Sequence, residues 1–240
     1  IIKPNSLKIL SNHFTQNKNI DFIFTNCNFL ESNFFDRFPK PFNSKNLPKK
    51  METISKIKKN KITNFFELID YNVSWDFLLG IFLCIFKKDT FLKHLKIIDK
   101  KKLYNPYQWA TFENTAFYTE VYAAAFKDSK VLIQSKPLIV STYGHKDWKD
   151  LWDFVKIVRI PELLDMYRKK GMKYTDYIKM KNFALKDFFF CFKNIFLKGK
   201  IAGVQYVDFK KHILSNILFP SIYLNFFRRI FNKLAELKQI

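Results

Sequence analysis

The sequence has little glycine, proline or cysteine, and these shortages exclude several classes of protein. With 5 glycines and 8 prolines among 240 residues, the chain is neither a flexible linker nor a low-complexity protein. Cys27, Cys84 and Cys191 lie far apart, and the sequence has no Cys-x-x-Cys pair. It therefore predicts neither a zinc site nor a disulfide framework, and we expect buried free thiols in a reducing compartment.

A secretory signal and a membrane-spanning segment are also missing from the sequence. Lys3, Pro4 and Asn5 interrupt any apolar start. The longest apolar stretch, residues 75–86, contains Asp76 and is shorter than the roughly 20 residues that cross a bilayer. Because no initiator methionine is present, we expect the natural beginning to precede Ile1. These features predict a cytoplasmic protein, peripheral at the inner face of the membrane.

Acidic residues are scarce relative to basic ones, and this limits the partners. Lys and Arg total 42 against 21 for Asp and Glu, which gives a formal net charge of +21. Such a charge attracts polyanions, among them nucleic acid, anionic lipid and phosphorylated substrates. Nucleic acid is the weaker alternative, because the lysines are dispersed and the phenylalanines lie in apolar runs. A hydrophobic fraction of 48% predicts a sizeable core.

Residue patterns predict helices alternating with strands, and hence an α/β layer fold. Asn5 or Ser6 is expected to cap a first helix whose apolar side carries Leu7, Leu10 and Phe14. The other predicted elements are a strand at 20–29, a proline-rich loop at 37–62, helices at 90–98 and 113–126, and a strand at 130–140 broken by a turn at 135–137. We divide the chain into an α/β domain, 1–160, and a helical region, 161–240.

The helical region is predicted to begin with a helix from Pro161 that stops at Gly171. Further helical segments are expected at 186–200 and 221–240. The last of these separates an apolar stripe (Phe226, Phe227, Ile230, Phe231, Leu234 and Leu237) from the cations Arg228, Arg229 and Lys233. This pattern is typical of a basic amphipathic helix. The stripe either packs on the protein's own core or lies on a membrane.

Four segments, in this order, resemble the inverting family 2 glycosyltransferases over roughly residues 1–170. Ile1-Ile2-Lys3-Pro4-Asn5-Ser6-Leu7 looks like the stretch after that family's Asp-x-Asp motif, and residues 80–88 resemble its acceptor-side strand. Glu113-Asn114 falls where these enzymes carry an acidic pair, and residues 143–164 are similar to the abequosyltransferase-like branch. The sequence departs from the family pattern in lacking the Asp-x-Asp half and in having Asn114 instead of a second acid.

The resemblance implies a partial GT-A, Rossmann-like glycosyltransferase domain followed by C-terminal helices. The implied reaction moves a sugar, with inversion, from a nucleotide-sugar donor to a surface-polysaccharide or lipid-linked acceptor, as in lipopolysaccharide, O-antigen or capsule synthesis. A divalent metal, Mg²⁺ or Mn²⁺, is implied with ligands mostly outside this chain. We therefore expect the chain alone to bind nucleotide-sugars poorly. A non-catalytic module that binds a membrane surface or nucleic acid is the alternative.

Glu113 is the candidate catalytic base, because a carboxylate at a helix N-terminus is stabilised as the anion. Glu120, two turns along on nearly the same face, is the reserve candidate. The candidate substrate-binding residues are Asn114 beside Glu113, Trp75 and Trp109 as sugar platforms, Asp76 for an acceptor hydroxyl, and His145 for a metal-bound diphosphate. Three of these residues also have a structural alternative: Glu113 as an ordinary acid at a helix start, Trp75 in the core and His145 in a loop.

Overall fold

The fold is divided between a sheet-containing unit and a helical unit. The computed structural model describes residues 2–31, 34, 44–73, 83–95, 113–143 and 149–237. The first unit comprises residues 1–99 and 118–146, and the second comprises 100–117 and 147–240. Because the first unit combines a mixed sheet with helices, the predicted α/β class is confirmed. Ile160, the predicted end of the first domain, is the first residue of a helix in the second unit.

A pair of parallel strands forms the centre of the sheet in the first unit. Strand β1 (Ile20–Glu31) pairs along its length with β5 (Lys130–Tyr143). The edges are antiparallel, with β3 (Lys61–Asn64) on β5, and β2 (Glu52–Thr53) and β4 (Cys84–Phe86) on the other side of β1. A strand covered on both faces has a nearly continuous apolar sequence, and the first half of β1 has this character.

Strand β5 is interrupted near its middle, as the sequence predicted from the turn at 135–137. Thr25 pairs with Gln134, whereas Cys27 pairs with Ile139, so the single residue Asn26 of β1 lies opposite four residues of β5. Pro137, which has no amide hydrogen for a ladder bond, falls within these four residues. The interruption is therefore a large β-bulge between two parallel segments.

Helix α1 (Ser6–Gln16) precedes β1, and its observed packing corrects part of the prediction. Leu10 is buried and Phe14 packs against its cluster, but Leu7 is 65% exposed. Asn5 precedes the helix with a φ of 62°, and no side chain caps the helix. The predicted cap is wrong because the Ser6 hydroxyl donates instead to the carbonyl of Leu138, which attaches the helix to the β5 bulge.

Two more helices belong wholly or partly to the first unit. Helix α2 (Lys88–Leu92) follows β4 and is shorter than the predicted helix at 90–98, whose last residues lie outside the described ranges. Helix α3 (Glu113–Phe126) covers the residues predicted to be helical. Its buried side packs on the sheet, where the Phe126 ring lies 5.0 Å from the ring of Phe22. Residues 37–62 are not one loop, because β2 lies within them.

The second unit is built from helices in its described residues. They are α4 (Trp152–Phe154), α5 (Ile160–Lys169), α6 (Tyr174–Leu185), α7 (Phe188–Lys198) and α8 (Pro220–Leu237). Helix α5 has Pro161 in its first turn and stops before Gly171, whose φ is 114°, as predicted. The sequence did not predict α6, and it predicted the segments that became α7 and α8.

Candidate functional site

The structure describes the positions of three predicted site residues and leaves the others outside its described ranges. Trp75, Asp76, Trp109 and His145 fall in those gaps. Glu113 and Asn114 lie in helix α3, and the residues directly before Glu113 fall outside the described ranges, so the helix start predicted at Glu113 stays a prediction. Glu120 is half-buried in the same helix.

Within the first unit, the part of helix α3 from residue 118 onward packs on the sheet. In the first unit, Tyr122 and Phe126 both contact the ring of Phe22, near the start of β1. The C-terminal end of the helix thus lies at the beginning of the parallel strands, and Glu120 lies toward their carboxyl ends. Ligands of α/β sheets bind outside the carboxyl ends of strands. The carboxyl ends of β1 and β5 are therefore the edge of the first unit where a ligand is expected to bind.

A buried amide side chain, Asn26, holds the sheet together at the β5 bulge. Its Oδ1 accepts hydrogen bonds from the backbone N–H groups of Cys27 (2.9 Å) and Ser55 (3.0 Å). Its Nδ2 donates to the carbonyls of Ser135 (2.8 Å) and Ser55 (3.3 Å). Asn26 is 2% exposed, so these bonds satisfy backbone groups that water does not reach. Asn26 therefore fixes the register in which β1 and β5 pair on the carboxyl side of the bulge.

Other polar side chains surround the bulge and are also paired. Gln134 Oε1 lies 2.7 Å from His13 Nε2 and accepts from Asn60 Nδ2 at 3.0 Å. Asn60 Oδ1 in turn accepts from the amide of Ser135 at 3.0 Å. Because their polar atoms bond to one another and to the backbone, these residues support the strands and leave no open ligand site among themselves.

Lys3, in the N-terminal segment, adds a further polar side chain to those near the bulge. Its Nζ donates to Oδ1 of Asn28, whose Nδ2 contacts the carbonyls of Met51 (3.3 Å) and Glu52 (3.2 Å). Burial lowers the pKa of the Lys3 ammonium, and the charge of Lys136 lowers it further. The only sign of these polar residues in the sequence is the run 25–28 inside an apolar strand.

Replacement of Asn26 by alanine tests whether this side chain holds the bulge. Asn26→Ala leaves buried N–H and carbonyl groups of Cys27, Ser55 and Ser135 without their partner. Each unsatisfied buried group costs about 1–3 kcal/mol, so we expect the free energy of unfolding to fall by about 3 kcal/mol after partial relaxation. Urea denaturation measures the change. The exposed Asn72→Ala is the control, and equal stability of the two variants would contradict the role of Asn26.

No family model, curated protein or solved structure matches the chain. Its function therefore has to be inferred from its own residues. Within the described ranges, no three His, Cys, Asp or Glu side chains come together as metal ligands. The divalent metal implied by the resemblance stays a prediction.

The second unit contains a buried charge cluster around Glu162. Glu162 Oε2 accepts from Arg159 Nη1 at 2.6 Å, and Oε1 accepts from His212 Nε2 at 3.0 Å and from Lys211. His212 Nδ1 accepts from the amide of Asp208 at 2.8 Å, which leaves the ring proton on Nε2. Both ring nitrogens are thus occupied. This histidine is a structural link between helical segments of the second unit.

A shallow cleft of about 340 Å³ lies beside helix α8. It is lined by Lys186, Asp187, Asn225, Arg228, Arg229 and Asn232. Asp187 accepts from Lys156 at 3.2 Å and from Arg229 at 2.5 Å, so two cations already neutralise its carboxylate. Lys186 and Arg228 give the remaining lining a basic character. The charge of this surface favours contact with anions.

Proposed function

We propose that the chain is the acceptor-side part of an inverting family 2 glycosyltransferase with a partial GT-A fold. The observation that carries the proposal is that Glu113 lies in α3, the helix that precedes the parallel strand β5. The resemblance places an acceptor-facing acid at the start of such a helix. The succession of α1, β1, β4, α3 and β5 also follows the order that the resemblance implies.

In the proposed reaction, Glu113 is the general base for an acceptor hydroxyl. As Glu113 takes the proton, the acceptor oxygen bonds to the anomeric carbon of the donor sugar. The bond from that carbon to the diphosphate breaks, and the nucleoside diphosphate leaves with the electron pair. The N-terminus of α3 favours the ionised carboxylate by about 0.3–1 kcal/mol. A divalent cation, when bound, would neutralise charge on the leaving diphosphate.

The other predicted residues have binding roles in this proposal. Asn114 contacts the acceptor next to Glu113, and Glu120 is the reserve base. Trp75 and Trp109 stack on sugar rings, Asp76 accepts from an acceptor hydroxyl, and His145 contacts the diphosphate. The donor is a nucleotide-sugar, and the acceptor is a surface polysaccharide or a lipid-linked glycan.

We also propose that the protein works at the inner face of the membrane as a peripheral protein. None of the helices in the described residues has both the length and the apolar character to cross a bilayer. The net charge of +21 favours contact with an anionic surface. A lipid-linked acceptor is presented at such a surface, so the location and the reaction support each other.

A transfer assay with the full-length enzyme tests the proposed function. We expect label from one of a set of uridine, cytidine or guanosine diphosphate sugars to enter the lipid or polysaccharide fraction of added bacterial membranes. The non-catalytic alternative predicts membrane binding without transfer from any donor. Tight oligonucleotide binding with a steep salt dependence would instead favour a nucleic-acid-binding module.

A further inference from the structure

Helices α7 and α8 expose a group of large apolar side chains, which we name the aromatic face. On α7 its exposed members are Phe190, Phe196 and Leu197, and on α8 they are Tyr223, Leu224, Phe226, Phe227, Ile230, Phe231 and Leu234. Soluble proteins seldom leave so many neighbouring apolar side chains uncovered, and such surfaces mark contacts with proteins or membranes. The aromatic face therefore requires a covering partner.

The two helices join in one surface through ring contacts. Phe189 of α7 lies 5.1 Å from Phe226 and 5.9 Å from Tyr223, both on α8. Along α7, the rings of Phe192 and Phe196 are 4.5 Å apart. The apolar surface is thus continuous between the helices. A partner that covers one helix also covers the other.

The stripe on α8 does not belong to the core of the second unit. Ile222 is 1% exposed and attaches the start of the helix, whereas Phe227 is 53% and Phe231 65% exposed. From Phe226 to Glu236, every side chain whose burial is described is exposed. The described side chains of this stripe therefore do not pack on the core of the second unit.

The charges beside the aromatic face distinguish between possible partners. Helices α7 and α8 contain five basic residues (Lys193, Lys198, Arg228, Arg229 and Lys233) and a single acid, Glu236. Arg229 is held by Asp187, but Arg228 has no acidic partner among the described residues. A symmetric contact between two copies would bring this basic surface against itself, which like-charge repulsion disfavours. An anionic bilayer offers both the apolar interior and the opposite charge.

We propose that the aromatic face docks on an anionic lipid bilayer, with α7 and α8 lying in the interface and not crossing it. This inference rests on the proposed function only for its biological setting, since the binding itself needs no sugar transfer. The phenylalanines enter the boundary between headgroups and acyl chains. Arg228 and Lys193 reach lipid phosphates from beside the apolar side chains, as long basic side chains do at interfaces.

Co-sedimentation with phospholipid vesicles tests this docking surface. We expect the protein to bind vesicles of phosphatidylcholine mixed with phosphatidylglycerol, and to bind phosphatidylcholine alone much more weakly. The double variant Phe227→Asp with Phe231→Asp should lower vesicle affinity by about a hundredfold, because each aromatic side chain contributes on the order of tenfold. Arg228→Gln should lower it about fivefold, since one basic residue near an anionic surface has that effect.

Matched controls separate docking from folding and from catalysis. Leu7→Asp, which changes an equally exposed leucine on α1, should bind vesicles as the unchanged protein does. The double variant and Leu7→Asp should both retain the thermal unfolding midpoint of the unchanged protein, because the changed side chains are exposed. Turnover on a water-soluble acceptor should also be unaffected, so a failure of vesicle binding is distinguishable from a failure of the proposed reaction.

Two results would overturn the proposal. In the first, the double variant binds anionic vesicles as tightly as the Leu7→Asp control does. In the second, the unchanged protein does not bind vesicles, and sedimentation equilibrium shows that it is a dimer whereas the double variant is a monomer. The second result would identify the aromatic face as an interface between copies of the chain.

Discussion

Glu113→Gln is expected to lower kcat of the full-length enzyme by about 10²–10⁴-fold while leaving donor affinity nearly unchanged. The amide keeps the size of the side chain but cannot take the acceptor proton. Because the loss lies in proton transfer, kcat and kcat/KM for the acceptor should fall together. Steady-state kinetics with varied acceptor measure both quantities, and calorimetry measures donor binding.

Glu120→Gln is the matched control, since it lies on nearly the same face of α3. We expect it to retain most of the turnover. If Glu120→Gln is inactive and Glu113→Gln is active, the base is Glu120. If both variants turn over at the rate of the unchanged enzyme, the role assigned to the start of α3 is contradicted.

Glu162→Gln is expected to lower the free energy of unfolding by about 3–5 kcal/mol, because it removes the carboxylate that neutralises the buried Arg159 guanidinium. The side chain of Arg159 is 8% exposed and that of His212 is 6% exposed, so water does not replace the lost carboxylate. Guanidinium denaturation followed by circular dichroism measures the change. The exposed Glu236→Gln is the control, and a loss as small as that of the control would contradict the account of the cluster.

The same cluster predicts a pH dependence of stability. Burial acts to raise the pKa of Glu162, but the hydrogen bond from His212, the charge of Arg159 and the bond from Lys211 outweigh it and lower the pKa from 4.5 to about 2. The folded state thus holds its proton less tightly than the unfolded state. The contribution of about 3 kcal/mol is complete above about pH 5 and is lost as the pH falls toward 2. Glu162→Gln should remove this part of the acid dependence.

The elements that the sequence predicted are those with a strong local pattern. Strand β1 has a long apolar run, α5 has Pro161 at its start and Gly171 after its end, and α8 has a regular apolar stripe. Helix α6 was missed because its buried side includes Lys181, whose ammonium bonds to Asp165 from another helix. Strands β2 and β3 are short and exist through pairing with distant strands, which no local pattern reveals.

Some features of the candidate site were likewise predictable from the sequence, and others were not. A helix over the residues of α3 was predictable because its sequence has a regular helical pattern. The role of Asn26 was not predictable, because the side chain bonds to backbone groups that lie about 30 and 110 residues away along the chain. These groups meet only in the folded sheet. The stripe of α8 was predicted, but its continuation onto α7 follows from the contacts of Phe189.

The stereochemistry of the transfer product tests the central proposal most directly. The full-length enzyme is incubated with an acceptor and a nucleotide-sugar donor of known anomeric configuration, and NMR determines the anomeric configuration of the new linkage. Attack by an acceptor hydroxyl deprotonated at Glu113 predicts a linkage opposite in configuration to that of the donor, and its loss in Glu113→Gln. A linkage with the donor's own configuration, or an inverted linkage that forms at an unchanged rate in Glu113→Gln, would contradict the proposed mechanism.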